Sequence, residues 1–237
     1  MKTIKKLGTL FLVVCLIAMA AAGCGSGGKD PAAADAAGTQ TSESSAASTA
    51  AAETSAATAA ASGSLTATSE DSAEAVDLTA VGITDWAHWY GYDQKADGGS
   101  KIGNYTVLGT GAVTNYEDDP RQISWSDGAP TASGTNNTGI YVEGRGSGFS
   151  IDVPAGTAAH TLKVYVGGWQ SSGMLMAHLS DGSAPDYTET TDQASDSFDR
   201  VYTLVFNAGS DGQTLNVKWL QASTDEGNVT LQAAALD

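Results

Sequence analysis

The sequence predicts an all-β domain of the sandwich or jelly-roll class over residues 76–237, and three observations carry that expectation. Short apolar runs in this region alternate with a period of two, Gly, Asp and Ser clusters separate them at short intervals, and nothing beyond the N-terminal leader carries a helical period. The tryptophans and tyrosines are confined to the same region: all 5 tryptophans and all 8 tyrosines lie there. A core can be buried only where such residues are.

Residues 1–23 read as a lipoprotein signal peptide. MKTIKK is a basic start, Leu7 to Ala22 an apolar stretch, and Ala22-Gly23 supplies small residues before Cys24. Cleavage there frees the thiol and amine of Cys24 for acylation. Each buried lipid methylene contributes about 0.8 kcal/mol, so a multiply acylated cysteine, palmitate included, is a stable membrane anchor. Cys15 leaves with the leader, and the chain has only 2 cysteines, so no disulfide can hold the mature domain. Its stability must come from an apolar core.

Residues 24–75 are almost wholly Ala, Ser, Thr, Gly and Glu, with no aromatic residue. Such a composition cannot bury enough apolar area to offset its conformational entropy, which predicts a disordered linker. As a flexible coil it would span roughly 40 Å and lift the folded part away from the membrane.

Within 76–237, DWAHWYGYD opens the aromatic series. As a strand it sends Trp86, His88 and Tyr90 to one side and Ala87 and Trp89 to the other. ISWSDG ends a further strand at Trp125. HTLKVYVGG (160–168) places Leu162, Val164 and Val166 on one face and Thr161, Lys163 and Tyr165 on the other. GMLMAHLS, RVYTLVF, QTLNVKWL and GNVTLQAAAL read the same way, with PAGT, GGWQSSG, SDGSAP, NAGSDGQ and STDEG as the turns between strands.

The set DLTAVGITDWAHWYG, ISWSDGAP, TGIYVEGRGSGFSIDVPAGTAAHTLKVYVGGW, GMLMAHLSDGSAPDYT, YTLVFNAGSDGQTLNVKW and GNVTLQAAALD resembles a β-sandwich module of bacterial secreted and surface proteins. That module often stands beside carbohydrate-active or fibronectin type III domains. The resemblance covers nearly all of 76–237. It implies a galactose-binding-like jelly roll and, by association, glycan binding.

Charge narrows the partners. The chain has 11 basic and 27 acidic residues, a net charge of -16. Such a field disfavours nucleic acid, whose affinity comes from Lys and Arg on phosphates, and suits neutral partners such as a cell-surface polysaccharide. No HExxH spacing and no GxSxG elbow is present, and His88, His160 and His178 are scattered, so the sequence points to a protein that is not an enzyme.

An aromatic ring binds sugar by stacking on the apolar face of a pyranose, and it must be exposed to do so. The candidates are Trp169, in a glycine-flanked loop, with Tyr90, Tyr92 and His88 as the exposed edge of the first aromatic cluster. Trp169 either meets a ligand or caps the sandwich, and Trp125 stands equally open between a ligand and the core. Arg121 either hydrogen-bonds a polar ligand or pairs with Asp118 or Asp119. No cofactor is expected apart from a structural calcium ion, for which Asp93, Asp97, Asp118 and Asp119 offer hard oxygen ligands. The expected protein is thus a lipid-anchored carbohydrate-binding-like module on the extracellular face of a bacterial cell membrane. The alternative is a structural or adhesive surface lipoprotein that contacts protein and has no sugar site.

Overall fold

A computed structural model describes residues 62–223 and 226–237. The signal peptide, Cys24 and the linker up to residue 61 lie outside the described residues. In chain order the elements begin with β1 (Ser64–Asp71), β2 (Val76–Asp77), the single helical turn α1 (Leu78–Val81), β3 (Asp85–His88), β4 (Asp93–Lys95) and β5 (Thr106–Leu108). Next come β6 (Val113–Tyr116), β7 (Ile123–Trp125), β8 (Gly128–Ala129), β9 (Gly134–Asn136), β10 (Gly139–Glu143) and β11 (Gly148–Ala155). The long strands close the chain: β12 (His160–Trp169), β13 (Gly173–Leu179), β14 (Tyr187–Thr190), β15 (Ser197–Asn207), β16 (Gln213–Gln221) and β17 (Asn228–Leu236).

The fold is the expected all-β sandwich. A nine-stranded sheet runs β1-β15-β12-β17-β3-β4-β8, with β10 and then β6 continuing from the N-terminal half of β17. It faces a five-stranded sheet in the order β14-β13-β16-β11-β5. From β10 onward the chain crosses repeatedly between the two sheets, which is jelly-roll connectivity. Leu162, Val164 and Val166 point inward as their alternation predicts, and they meet Leu215, Val217 and Trp219 of β16 and Leu175 and Ala177 of β13 in one buried cluster.

The outer face of the large sheet is covered as well, over part of its area. A small sheet, β2-β7-β9, lies against it with α1. Between them Trp86, Trp125, Ile123, Leu78, Tyr165, Val201, Ala233 and Ala235 form a second core. Tyr165, expected on the open side of its strand, is therefore buried. The register of β12 on β17 shifts between Tyr165 and Val166, so that Tyr165 faces Ala233 while Val166 faces Leu231. Gln232 is the extra residue. This bulge reverses the facing of β17, so that Val229 and Leu231 share the main core with Ala234 and Leu236, and Ala233 and Ala235 serve the second.

The domain also begins earlier than its composition suggests. Residues 64–71, expected in the linker, form β1, which pairs with β15 along all 8 of its residues. The strand is polar because it is an edge: only Leu65 and Ala67 pack against the core. Backbone pairing, to which composition is blind, holds the rest, together with polar side-chain bonds such as Ser69 Oγ to Glu189 at 2.9 Å and Asp71 to Arg200 at 3.0 Å.

Candidate functional site

Beyond the second core, the outer face of the large sheet is open and forms a cleft of about 520 Å³. Its floor follows from strand register. Tyr141 stands opposite Thr230, Thr230 opposite Gly167, and Gly167 opposite Asp199, giving one row across β10, β17, β12 and β15. Glu143, Asn228, Trp169 and Ser197 make the next row by the same pairings. Side chains two apart on a strand share a face, so both rows present to the same side. Gly167 leaves the middle of the first row bare; a Cβ there would lie 2.3 Å from the Phe198 carbonyl and 2.9 Å from Thr230 Oγ1. Tyr116, Asp118, Asp119 and Pro120 wall one side, and Asp196 lies on the rim near Ser197.

Trp169 stands out on this floor with 44% of its surface exposed, the largest exposed ring among the described residues. It is the last residue of β12 and not part of a loop, as its glycine-rich surroundings suggested. Gln170 then takes a left-handed φ of 48°, and the chain leaves the sheet. The indole is thus fixed by a strand at its back and free at its front.

The charges of the cleft are carboxylates: Asp118, Asp119, Glu143, Asp196 and Asp199. Asp119 is buried. It accepts from the backbone N–H of Arg121 at 2.8 Å and from the hydroxyl of Tyr116 at 2.6 Å. Burial, and then the charge of Asp119, push the Tyr116 hydroxyl well above its ordinary range. Asp199 is pushed up to about 6, first by burial and then by the negative charge of Asp119, against the lowering effect of Arg121. The two carboxyls adjoin, and ionising one opposes ionising the other.

Arg121 is not a ligand group. It is fully buried; Nη2 and Nε donate to the carbonyl of Ser72 at 2.7 and 3.2 Å, and Nη1 donates to Gln232 Oε1 at 3.2 Å. Gln232, turned outward by the bulge, returns a hydrogen bond from Nε2 to the Arg121 carbonyl at 3.0 Å. The guanidinium lies 5.4 Å from the centre of the Tyr165 ring, and Nη2 lies 3.8 Å from Asp199 Oδ1. It underlies the cleft without opening into it.

Other expected site residues fall elsewhere. His88 is buried, with its ring 5.1 Å from that of Trp125 and Nε2 3.1 Å from the carbonyl of Thr138; burial lowers its pKa and keeps it neutral. Trp125 is buried in the second core, where its Nε1 donates to the Thr131 carbonyl at 2.8 Å. Tyr90 is 38% exposed, but its hydroxyl is engaged with Glu117, outside the cleft. Tyr92 is half-buried and donates to the Ile102 carbonyl at 3.1 Å. Of the ligand candidates, only Trp169 lines the cleft.

The four aspartates proposed for calcium do not converge. Among the described residues no group of three or more His, Cys, Asp or Glu side chains is placed to hold a metal ion. Asp93 Oδ1 accepts from Thr131 N at 2.9 Å, Asp97 is exposed, and Asp118 and Asp119 belong to the cleft wall. The sequence signals missed Tyr141, Glu143, Asp196, Asp199, Asn228 and Thr230. The available signal was that the outer-facing series on β15 changes from Ser197 and Asp199 to Val201, which marks where the cover begins.

No protein-family model matches the chain, and no curated protein does. Among solved structures, the enzymatically active domain of tailspike protein 4 of bacteriophage CBA120 is similar at a TM-score of 0.37 and 12% identity, over 58% of this chain and 20% of that one. TmCBM61, in complex with β-1,4-galactotriose, is similar at 0.36 and 11%, over 57% of this chain and 88% of that one. The CBM22-1-GH10 modules of a Clostridium thermocellum endo-1,4-β-D-xylanase, complexed with xylohexaose, reach 0.34 and 12%, over 56% of this chain and 26% of that one. The chain thus spans about a fifth of the tailspike chain and a quarter of the xylanase chain. Likeness at this level brings neither residue correspondence nor ligand into this chain.

Proposed function

We propose that the cleft is a glycan site and that the protein is a non-catalytic carbohydrate-binding module, held outside a bacterial cell membrane by lipid on Cys24. The observation that carries this reading is Trp169, an exposed indole seated on a floor of hydroxyl, amide and carboxylate groups. A sugar ring presents an apolar face for stacking and hydroxyls for hydrogen bonds, and the cleft offers a partner for each. Its volume is of the size of a small-ligand site.

A glycan array with the full-length protein identifies the retained sugars, and Trp169→Ala tests the site. Loss of retention with a nearly unchanged melting temperature is expected, because the ring is half in solvent. A buried aromatic cut to alanine costs about 3 to 5 kcal/mol. A loss of that size in stability, with glycan retention intact, refutes the reading and favours a surface lipoprotein that contacts protein.

A further inference from the structure

We infer that the cleft selects glycans carrying a free amino group, bound as the ammonium, over their N-acetylated and acidic counterparts. This rests on the glycan reading of the same cleft. Five carboxylates line or rim the cavity, from the floor (Glu143, Asp199), the wall (Asp118, Asp119) and the rim (Asp196), and no Lys or Arg side chain lines it. The nearest cation, Arg121, is fully buried. Its nitrogens are committed to the Ser72 carbonyl and Gln232, and one face of the guanidinium rests on Tyr165. It relieves Asp199 from beneath and has nothing left to offer a ligand.

The consequence for a ligand is one-sided. A uronate or sulfated sugar brings negative charge to carboxylates that no reachable cation offsets. An N-acetyl group is neutral and finds no charged partner. An ammonium donates up to three charge-assisted hydrogen bonds to carboxylates. It also gains from the face of an indole, and Trp169 is the exposed indole of this cleft. Glu143 and Asp196 are exposed, so that a ligand reaches them without opening the fold.

The experiment compares a β-1,4-linked glucosamine tetramer, its fully N-acetylated form and a galacturonate tetramer by calorimetric titration of the full-length protein in detergent. One charge-assisted hydrogen bond, reduced for partial exposure, corresponds to about a tenfold preference for the amine. That preference is expected to vanish in the double variant Glu143→Gln, Asp196→Asn and to persist in Asp186→Asn, an exposed carboxylate outside the cleft. Trp169→Ala is expected to remove all retention. Equal binding of the amine and N-acetyl tetramers, both lost in Trp169→Ala, overturns the amine selection and leaves the glycan site standing. A preference that survives the double variant is not set by the two exposed carboxylates that a ligand reaches and also overturns it. Retention of none of the tetramers removes the inference, and a blank glycan array removes the glycan site with it.

Discussion

Replacing Arg121 with methionine tests how the second core and the cleft are held together. Methionine keeps a long apolar stem, so the change removes the guanidinium and little else. Three losses follow from the geometry. The Ser72 carbonyl loses two donors, at 2.7 and 3.2 Å, Gln232 Oε1 loses one at 3.2 Å, and Asp199 loses the cation 3.8 Å away. Leaving a buried acceptor without a donor costs about 1 to 3 kcal/mol, and breaking a buried charge pair about 3 to 5. These groups form one network, so the terms do not add. About 4 kcal/mol is the expected loss, a large part of the ~5 to 15 kcal/mol of a single domain.

The pH dependence makes the test specific. In the native protein Asp199 is raised from its ordinary 3.8 to about 6, with Arg121 restraining the rise. Between those values the folded state holds a proton that the unfolded chain has released, so this group's contribution to stability falls as pH rises through that window. Removing Arg121 raises Asp199 further and extends the window upward. The loss in Arg121→Met must therefore be larger near pH 8 than near pH 5. Urea unfolding followed by tryptophan fluorescence at both pH values measures it. A loss under ~1 kcal/mol at both, or a larger loss in acid, refutes the account.

Two further predictions concern the same region. Asp199→Asn substitutes a neutral isostere, so the fall in stability between about pH 4 and pH 7 that Asp199 imposes, roughly 1 to 3 kcal/mol, should be absent from the variant; parallel pH profiles for variant and wild type in denaturant unfolding would contradict this. A chain shortened to 76–237 loses β1 and the Ser72 carbonyl that Arg121 requires, so it should melt well below a chain shortened to 62–237, by an amount equivalent to about 3 kcal/mol or more. Equal melting temperatures in calorimetry would show that neither contact matters.

The strands of the main core were legible because one face of each meets the opposing sheet. Leu162, Val164, Val166, Leu215, Val217 and Trp219 point inward as their alternation requires. Alternation fails where a second layer covers the other face. Tyr165, Trp86 and Trp125 are buried there by β2, β7, β9 and α1, elements too short to show a period. It also fails at Gln232, where a bulge reverses the facing of β17 and no local signal announces it. β1 was hidden by its own chemistry, since an edge strand held by its backbone needs few apolar residues. In the cleft, Trp169 and the Asp118-Asp119 pair could be singled out, because exposed aromatics and acidic runs are visible in one dimension. Tyr141, Thr230 and Asp199 could not, because pairings across four strands far apart in sequence bring them into one row.

The border between the covered and open parts of the outer face is narrow, and it explains why stability and binding should separate. The bulge turns the Gln232 amide toward Arg121, and the two exchange hydrogen bonds at 3.2 and 3.0 Å. So fixed, Arg121 rests against Tyr165 at the margin of the second core and approaches Asp199 beneath the cleft. One buried cation thus closes a core and sets the charge of a floor. Trp169 lies on the far row, joined to the sheet only through its own strand and its neighbours Asn228 and Ser197. A change at Arg121 must alter folding and the carboxylates together. A change at Trp169 reaches the ligand and leaves the core untouched.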